Sequence, residues 1–215
     1  MPPLLDAQGV SRTYDRFQAL ANTDLQLYPG EIVTLTGPNG SGKTTLLLCL
    51  SGLLAPTTGS IKVEGFDLVR DEVAVRKRMA FVPDVPHFYS ELTAWEHLRF
   101  MALAHEATTG FDSRAEDLLK EFDLWEGRNL FPHHYSRGMR MKLGLLLAFI
   151  RPFHVLLLDE PTSALDTQGV DQLITRLKEL RAQGAGILFS THDQDLALSL
   201  GDRHLRMRSG VVEAV

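Results

Sequence analysis

Residues 37–45 read GPNGSGKTT and fit the pattern G-x-x-x-x-G-K-[ST] of a phosphate-binding loop. The loop follows an apolar segment, residues 32–35, that predicts a buried strand. It leads into a leucine-rich segment, Lys43–Ser51, that predicts a helix ended by Gly52. This order of strand, loop and helix is the context that the motif requires. The sequence therefore predicts an α/β protein that binds a nucleoside triphosphate.

Each part of the loop has a physical role in this interpretation. Glycines at positions 37, 40 and 42 let backbone N–H groups approach the phosphates at the positive end of the next helix. Lys43 is placed to reach the β- and γ-phosphates, and the Thr44 hydroxyl is placed to bind the Mg²⁺ that bridges them. The expected nucleotide-binding residues of the loop are Gly37, Pro38, Asn39, Gly40, Ser41, Gly42, Lys43, Thr44 and Thr45.

Composition and charge narrow the class of protein. The 215-residue chain is 44% hydrophobic and 23% charged, which is typical of a globular protein with a single core. Its net charge is −5, and no cluster of Lys and Arg indicates a groove for nucleic acid. The single cysteine, Cys49, excludes an internal disulfide, and no uncharged stretch is long and apolar enough to cross a bilayer. The sequence therefore predicts a cytoplasmic protein without a nucleic-acid partner.

Strand and helix signals alternate at both ends of the chain, and only helix signals occur in the middle. Strands are predicted at residues 32–35, 79–82, 155–158 and 187–190. This order predicts a mostly parallel central sheet flanked by helices, with an α-helical insertion at about residues 85–150. Residues 1–215 are interpreted as one domain, whose core comprises about residues 1–84 and 151–215.

Capping patterns predict where several helices begin and end. Thr93-Ala-Trp-Glu96 and Ser113-Arg-Ala-Glu116 both fit the capping box, which places Thr93 and Ser113 immediately before a helix. A further amphipathic helix is predicted at residues 167–183 and ends at Gly184. A terminal hairpin is predicted to turn at Ser209-Gly210.

Two carboxylates, Asp159 and Glu160, follow the apolar strand at residues 155–158. Ligands of open α/β sheets bind at the carboxyl ends of the strands. Asp159 is therefore expected to bind Mg²⁺, directly or through water, and Glu160 to act as the general base for the attacking water. The alternative is an acidic pair that is only solvated in a loop, and the upstream phosphate-binding loop argues against it.

Three further segments distinguish this chain among proteins with a phosphate-binding loop. Tyr135-Ser-Arg-Gly-Met139 precedes an apolar helix, Ser163-Ala-Leu-Asp166 follows the acidic pair, and Ser190-Thr-His-Asp193 ends a later strand. In order and spacing, these motifs resemble the nucleotide-binding domain of ABC transporters, the ATP-binding cassette family. The resemblance extends from Tyr14 to the terminal hairpin. It implies the P-loop NTPase fold, with an N-terminal antiparallel β region and an inserted α-helical subdomain.

The resemblance also implies roles for residues outside the phosphate-binding loop. Tyr14 resembles the aromatic residue that stacks on adenine, and a buried core tyrosine is the alternative. Ser136 and Gly138 resemble the signature motif, which grips the γ-phosphate of ATP held by the opposite subunit. His192 resembles the switch histidine that contacts the γ-phosphate. Asp166 resembles the D-loop aspartate that links the two sites across a dimer.

The function implied by the resemblance is ATP hydrolysis coupled to transport, with Lys43, Glu160 and His192 as catalytic residues and ATP and Mg²⁺ as cofactors. A head-to-tail pair, formed with an identical or related cassette, would close on ATP and open after hydrolysis. Separate transmembrane permease subunits would hold the protein at the inner face of the cell membrane. They would contact the helical insertion near residues 87–92, for which packing inside the insertion is the alternative.

Two segments depart from the commonest pattern of the family. Asp84 stands where the family usually has Gln after a Val-Pro pair, and the signature reads Ser-Arg-Gly-Met instead of Ser-Gly-Gly-Gln. Asp84 is an expected ligand of Mg²⁺ or its water, although a carboxylate cannot donate as an amide does. Arg137 and Met139 resemble the variant signature of subunits that serve export-type transporters.

Two other functions fit parts of the sequence. The first is an ABC-type ATPase of DNA repair or translation, but such proteins usually add coiled-coil, zinc or tandem-cassette segments and have basic surfaces. The second is a regulatory cassette that hydrolyses ATP poorly. Asp84 and the altered signature motivate this alternative, whereas Glu160 and His192 argue against it.

Overall fold

The chain forms two β-sheets and seven α-helices, and the computed structural model describes all 215 residues. The strands are β1 (Leu5–Tyr14), β2 (Phe17–Leu27), β3 (Ile32–Thr36), β4 (Thr58–Val63), β5 (Phe66–Asp67), β6 (Met79–Val82), β7 (Val155–Asp159), β8 (Gly186–Thr191), β9 (Arg203–Arg208) and β10 (Val211–Ala214). The helices are α1 (Lys43–Ser51), α2 (Glu72–Arg78), α3 (Ala94–Ala104), α4 (Phe111–Glu121), α5 (Arg137–Phe149), α6 (Thr167–Ala182) and α7 (Gln194–Leu200). None of them has the length and apolar character that crossing a membrane requires.

The chain divides into two compact units. The first unit comprises Met1–Phe81, Phe153–Glu160 and Leu177–Val215. The second comprises Val82–Pro152 and Pro161–Arg176, and it contains α3, α4 and α5. Its last segment includes the Ser163-Ala-Leu-Asp166 motif, which the sequence analysis places with the core.

A six-stranded sheet has the strand order β10-β9-β3-β8-β7-β6. Strand β3 pairs in parallel with β8 and β9, and β7 pairs in parallel with β8. Every residue of β7 and β8 is buried, as expected for central strands of a parallel sheet covered on both faces. The predicted mostly parallel central sheet is therefore confirmed, and its phosphate-binding loop follows the central strand β3.

A four-stranded antiparallel sheet, with the order β2-β1-β4-β5, forms the N-terminal β region that the family resemblance implies. Its apolar side chains join those of β3, β7 and α1 in the core of the first unit. Leu5, Leu35, Leu46 and Leu157 are all 0% exposed there. Since full burial of each such side chain is worth about 1.5–3 kcal/mol, this core fixes the strand that carries the loop.

Glycines end α1 and turn the last hairpin as predicted. Gly52 has a φ of 78° and donates its N–H to the Cys49 carbonyl at 3.1 Å, which ends α1. Ser209 and Gly210 have φ values of 46° and 82° between β9 and β10, as a two-residue hairpin turn of this kind requires.

The capping box at the start of α3 is confirmed. Thr93 Oγ1 accepts the Glu96 N–H at 3.3 Å, and Glu96 Oε2 accepts the Thr93 N–H at 2.8 Å. The Thr93 N–H, and after it the Thr93 hydroxyl that donates to the same Oε2 at 2.8 Å, hold the pKa of Glu96 below its usual value.

The capping box predicted at Ser113 is wrong. Helix α4 begins at Phe111, Gly110 precedes it, and Ser113 lies inside the first turn. Phe111 is only 8% exposed, and its ring centroid lies 5.3 Å from that of Trp95. Burial of this aromatic ring brings residues 111 and 112 into the helix, since packing overrides a local capping preference.

Candidate active site

The phosphate-binding loop connects β3 to α1 and is shaped by its glycines. Gly37 and Gly42 have φ values of 154° and 111°. A Cβ at Gly37 would lie 2.3 Å from the Met207 carbonyl oxygen, and a Cβ at Gly42 would lie 2.5 Å from that of Ala19. Nothing lies within 4 Å of a Cβ at Gly40, where the φ of 77° alone favours glycine. The loop therefore depends on glycine for two different physical reasons.

Two buried polar groups in this loop fit an anionic ligand. Lys43 is 6% exposed, and its Nζ donates to the Gly37 carbonyl at 2.8 Å. Ser41 is 4% exposed, and its Oγ has no hydrogen-bond partner. Burying a hydroxyl or an ammonium group is costly unless an acceptor compensates it, and phosphate oxygens are such acceptors. The buried groups therefore fit the triphosphate that the motif predicts.

Other predicted loop residues are accessible. Pro38, Asn39 and Gly40 are exposed, Thr44 is exposed in the first turn of α1, and Thr45 is half-buried. The first turn of α1 contains no acidic residue, so its positive end is not neutralised by its own sequence.

Glu160 is the centre of a cluster that contains all three predicted catalytic residues. Its Oε1 lies 3.2 Å from Lys43 Nζ, and its Oε2 lies 2.9 Å from His192 Nδ1. The His192 backbone N–H also donates to Oε2, at 3.2 Å. The Glu160 side chain is 14% exposed and that of His192 is 65% exposed. Residues from α1, the end of β7 and the end of β8 thus meet at one carboxylate.

Ser190 is a residue of this site whose part the sequence analysis missed. Its Oγ donates to Asp159 Oδ1 at 2.7 Å and accepts the Glu160 N–H at 2.9 Å. Glu160 has a φ of 48°, a conformation that costs a residue other than glycine about 1–3 kcal/mol. The Ser190 hydroxyl supports this turn because Ser190 is paired with Asp159 between the parallel strands β7 and β8. The serine was visible in the Ser190-Thr-His-Asp193 motif, but its pairing with Asp159 was not.

The residues expected to bind Mg²⁺ in the first unit are Asp159 and Thr44. Asp159 is 1% exposed, and no group of three or more His, Cys, Asp or Glu side chains could hold a metal by itself. One carboxylate and one hydroxyl fit Mg²⁺ that is bound together with phosphate oxygens, because Mg²⁺ usually takes only one or two carboxylates from a protein. The two side chains therefore fit Mg²⁺ that is bound together with a nucleotide, and their role as its ligands stays a prediction.

In the second unit, the signature residues begin α5. Ser136 Oγ accepts the Met139 N–H at 3.1 Å and caps the helix. A Cβ at Gly138 would lie 2.8 Å from the Ala164 carbonyl oxygen, so the D-loop backbone packs directly on this glycine. A cavity of about 230 Å³ here is lined by Asp123, Leu124, Ser136, Gly138, Met139, Lys142, Ala164 and Asp166.

Tyr135 and Asp166 fix the two segments that border this cavity. Tyr135 is 3% exposed, and its hydroxyl donates to the Gly127 carbonyl at 2.9 Å. Burial raises the pKa of Tyr135 to about 12. Asp166 Oδ1 accepts the Gly169 N–H at 2.8 Å at the start of α6, and the side chain is 71% exposed.

Tyr14 lies at the end of β1 and is 42% exposed. The Arg12 guanidinium carbon lies 4.5 Å from the centroid of its ring. The alternative of a buried core tyrosine is therefore wrong. Adenine stacking by Tyr14 stays a prediction, for which an exposed ring is a requirement.

The contacts of Asp84 are with the signature and D-loop segments of the second unit. Asp84 Oδ1 accepts the Ser163 Oγ–H at 2.9 Å and lies 3.6 Å from Arg137 Nη2. The role of Asp84 as a ligand of Mg²⁺ or its water stays a prediction. No motif in the sequence indicates that Asp84, Arg137 and Ser163 meet, although Asp84 and Arg137 both depart from the family pattern.

ATP-binding proteins of ABC transporters are similar to this chain in sequence and in fold. A family model described as ABC transporter matches residues 20–163. The chain is 34% identical to the ABC-type transporter ATP-binding protein EcsA of Bacillus subtilis (strain 168) over 98% of the chain and 86% of the relative. It is 35% identical to the SkfA peptide export ATP-binding protein SkfE of the same organism over 96% and 86%. A dimeric, post-hydrolysis structure of the ATP-binding cassette MJ0796 bound to ADP and Pi has a TM-score of 0.87 and 27% identity, with 98% of each chain covered.

Proposed function

The chain belongs to the ATP-binding cassette family of ABC transporters and is an ATPase, and we propose that it pairs head-to-tail with a second copy of itself to drive export through separate membrane subunits. ATP hydrolysis by this chain is supported by the cluster of Lys43, Glu160 and His192 beside the phosphate-binding loop. The dimeric state of the similar cassette supports the pairing. In a two-fold pair, each signature motif would complete the site of the opposite copy.

Lys43 donates a hydrogen bond to the Gly37 carbonyl and forms an ion pair with the Glu160 carboxylate. Phosphate oxygens of ATP would attract the ammonium more strongly than a single carboxylate, since they carry more charge. Movement of Lys43 to the phosphates would release Glu160 Oε1. That oxygen would then accept a proton from the attacking water, a role worth about 10²–10⁴ in rate.

His192 would keep the released carboxylate in place. His192 Nδ1 lies 2.9 Å from Glu160 Oε2, and because an ionised carboxylate only accepts, Nδ1 would carry the hydrogen of this bond. The second hydrogen bond to Oε2, from the His192 backbone, does not depend on the protonation of the ring. His192 thus holds Oε2 of Glu160, while Oε1 would face the attacking water.

Asp159 and Thr44 would hold Mg²⁺, which when bound neutralises charge on the β- and γ-phosphate oxygens. Asp159 is fixed for this role by the Ser190 hydroxyl at 2.7 Å. Because the same hydroxyl accepts the Glu160 N–H, one serine would align the metal ligand and the general base.

The proposed dimer is tested by light scattering of Glu160→Gln protein with and without Mg-ATP. A mass that doubles only with Mg-ATP is expected, because blocked hydrolysis preserves the closed pair. A monomer at saturating Mg-ATP would contradict pairing with an identical copy. Nucleotide binding, measured on the same sample, checks that the protein is competent.

We also propose an aromatic surface of the second unit as the contact for the membrane subunit. Tyr89 is 57% exposed and Phe100 45% exposed, and their ring centroids lie 5.6 Å apart. Phe88 packs edge-on against His97, at 5.5 Å between centroids, and the Tyr89 N–H donates to His97 Nε2 at 3.0 Å. His97 thus fixes the loop that presents these rings.

Reconstitution with the membrane subunit tests this surface. Alanine at Phe88 and Tyr89 is expected to keep ATP affinity and to uncouple hydrolysis from transport. Leu53→Ala, at a 66% exposed leucine of the first unit, is the control and should transport normally. Loss of ATP affinity in the Phe88 and Tyr89 variants would count against the assignment.

The export direction is supported by Arg137 and Met139 in the signature and by the peptide-export relative. Inside-out membrane vesicles with the reconstituted transporter should accumulate substrate when Mg-ATP is added outside. Mg-ATP-driven loss of substrate from such vesicles would indicate import instead. If the protein were instead a regulatory cassette, the wild type would bind ATP, but its rate of ATP hydrolysis would be as low as that of Glu160→Gln.

A further inference from the structure

Asp84, Arg137 and Ser163 form a cluster in the second unit that is named here the charge latch. Asp84 Oδ1 accepts the Ser163 Oγ–H at 2.9 Å, and Arg137 Nη2 lies 3.6 Å from the same oxygen. Arg137 Nη2 also donates to Ser163 Oγ, at 3.4 Å. Two of the three residues by which this chain departs from the usual family pattern, Asp84 and Arg137, are therefore partners.

Arg137 occupies an unfavourable position for a cation. It is the first residue of α5, and the first turn of that helix contains no acidic residue. The helix dipole disfavours positive charge at this end and favours an anion. The Asp84 carboxylate supplies that negative charge from another segment of the chain.

A second cation of α5, Lys142, lies near two carboxylates. The Lys142 side chain is 10% exposed, and its Nζ lies 3.8 Å from Asp123 Oδ2 and 4.0 Å from Asp166 Oδ1, beyond hydrogen-bond distance. Lys142 lines the same 230 Å³ cavity as Ser136 and Gly138. Asp123 and Asp166 line this cavity too, so the charge of Lys142 is compensated within the chain, whereas Arg137 depends on Asp84.

The charge latch can open at little cost. The Arg137 and Asp84 side chains are 63% and 41% exposed, and exposed ion pairs contribute little to stability. A terminal phosphate carries more charge than one carboxylate and accepts two hydrogen bonds from a guanidinium group. Ser163 would remain hydrogen-bonded to Asp84 after Arg137 moves, so the carboxylate keeps a partner.

We propose that the charge latch sets the ATP concentration at which two chains close. In a chain that is not paired, Asp84 holds Arg137. When two chains pair, Arg137 leaves Asp84 and binds the γ-phosphate of the ATP that the second copy holds. Arg137 is then a phosphate-binding residue, and Asp84 is a positioning residue that competes with the nucleotide. This inference rests on the proposed pairing and names a regulatory element of the same site.

The experiment measures the dimer mass of Glu160→Gln protein by light scattering as Mg-ATP is titrated. Asp84→Asn is expected to lower the ATP concentration for half-dimerisation several-fold, because Arg137 is released. Arg137→Met is expected to raise it by roughly 10-fold or more, as loss of a hydrogen bond to a charged group predicts. Adding Asp84→Asn to Arg137→Met should then have no effect, since the carboxylate acts only through the arginine.

The control is an ion pair of similar exposure in the same unit. Lys120 and Glu116 pair at 2.6 Å on α4, with side chains 56% and 42% exposed. Glu116→Gln and Lys120→Met make the same charge changes and should leave the dimerisation midpoint unchanged. Arg137→Lys keeps the charge and should give a midpoint between those of wild type and Arg137→Met.

Other outcomes of this experiment contradict either the charge latch or the proposed pairing. An Asp84→Asn midpoint that rises or stays unchanged overturns the charge latch, as does an Asp84→Asn effect that persists beside Arg137→Met. Thermal unfolding monitored by circular dichroism separates these results from loss of folding. A Glu160→Gln protein that stays monomeric at every ATP concentration overturns the proposed pairing itself, and with it the latch.

Discussion

The ammonium of Lys43 lies 3.2 Å from the carboxylate of Glu160, so an ion pair joins the phosphate-binding loop to the end of β7. The two side chains are 6% and 14% exposed. Little solvent screens the pair, and each group needs a partner of opposite charge. Under the proposed function, binding of ATP phosphates to Lys43 and release of Glu160 would therefore be coupled.

Glu160→Gln should lower the rate of ATP hydrolysis about 10²–10⁴-fold, because the amide cannot accept the proton of the attacking water. ATP affinity should stay the same or rise, since Lys43 no longer has a competing carboxylate. Phosphate release under saturating ATP measures the first effect, and equilibrium nucleotide binding measures the second.

The matched control for this change is Glu64→Gln. Glu64 also has a positive φ, of 49°, and it pairs with His154 at 2.7 Å and with Arg78 at 2.9 Å. The substitution therefore removes a similar charge from a similar backbone outside the phosphate-binding loop, and hydrolysis should persist. Equal loss of hydrolysis in both variants would show that the effect is structural.

His192→Gln should lower kcat with little change in KM, because the imidazole ring positions Glu160 and is not part of the phosphate-binding loop. The His192 backbone N–H still donates to Glu160, so the loss should be smaller than that caused by Glu160→Gln. Steady-state ATPase kinetics measure the split. His154→Gln, whose ring pairs with Glu64 and is 59% exposed, is the control and should leave kcat unchanged.

Lys43→Met should weaken ATP binding by roughly 10–100-fold, since it removes charge-assisted hydrogen bonds to phosphate worth about 1.5–3 kcal/mol. The substitution also leaves the Glu160 carboxylate without its ammonium partner. Isothermal titration with Mg-ATP measures the affinity. Lys120→Met, on an exposed ion pair of α4, should bind ATP normally; tight binding by Lys43→Met would contradict the assigned phosphate contact.

Gly138→Ala should reduce hydrolysis while keeping the ATP affinity of the separate chain. The new Cβ would lie 2.8 Å from the Ala164 carbonyl oxygen, so the D-loop must move, at a cost of about 1–3 kcal/mol. Urea unfolding measures the loss of stability. Measuring ATP binding and ATPase activity on the same protein shows whether hydrolysis falls while ATP affinity is kept. Unchanged stability and hydrolysis would contradict the close approach at this glycine.

Tyr135→Phe should lower the free energy of unfolding at pH 7 by about 1 kcal/mol, since it removes the hydrogen bond to the Gly127 carbonyl. The pKa of Tyr135 is about 12 in the folded chain and about 10 in an unfolded one, so folding favours the neutral phenol. Its stabilising effect is complete below pH 10 and is lost as the pH rises through 12.

Urea unfolding at pH 7 and between pH 10 and 12 tests this sign. The stability difference between wild type and Tyr135→Phe should shrink at the higher pH. A difference that grows with pH would contradict the assignment.

Local sequence was sufficient where backbone chemistry decides the structure. Gly52 ends α1 and Thr93 caps α3 because these residues satisfy helix ends through their own conformation or side chain. Ser113 misled because the capping preference is worth about 1 kcal/mol, whereas burial of the Phe111 ring is worth more. Boundaries thus failed where packing between helices opposed a local signal.

The sequence by itself determined the phosphate-binding loop, the acidic pair Asp159-Glu160 and His192, because spacing along the chain fixes which residues follow each strand. Only the tertiary structure decided which of them meet. The parallel register of β7 and β8 pairs Asp159 with Ser190 and brings His192 to Glu160. Likewise, Asp84 and Arg137 are 53 positions apart in the printed sequence, and only folding of the second unit makes them partners. Contacts between distant segments depend on strand order and helix packing, which no local pattern encodes.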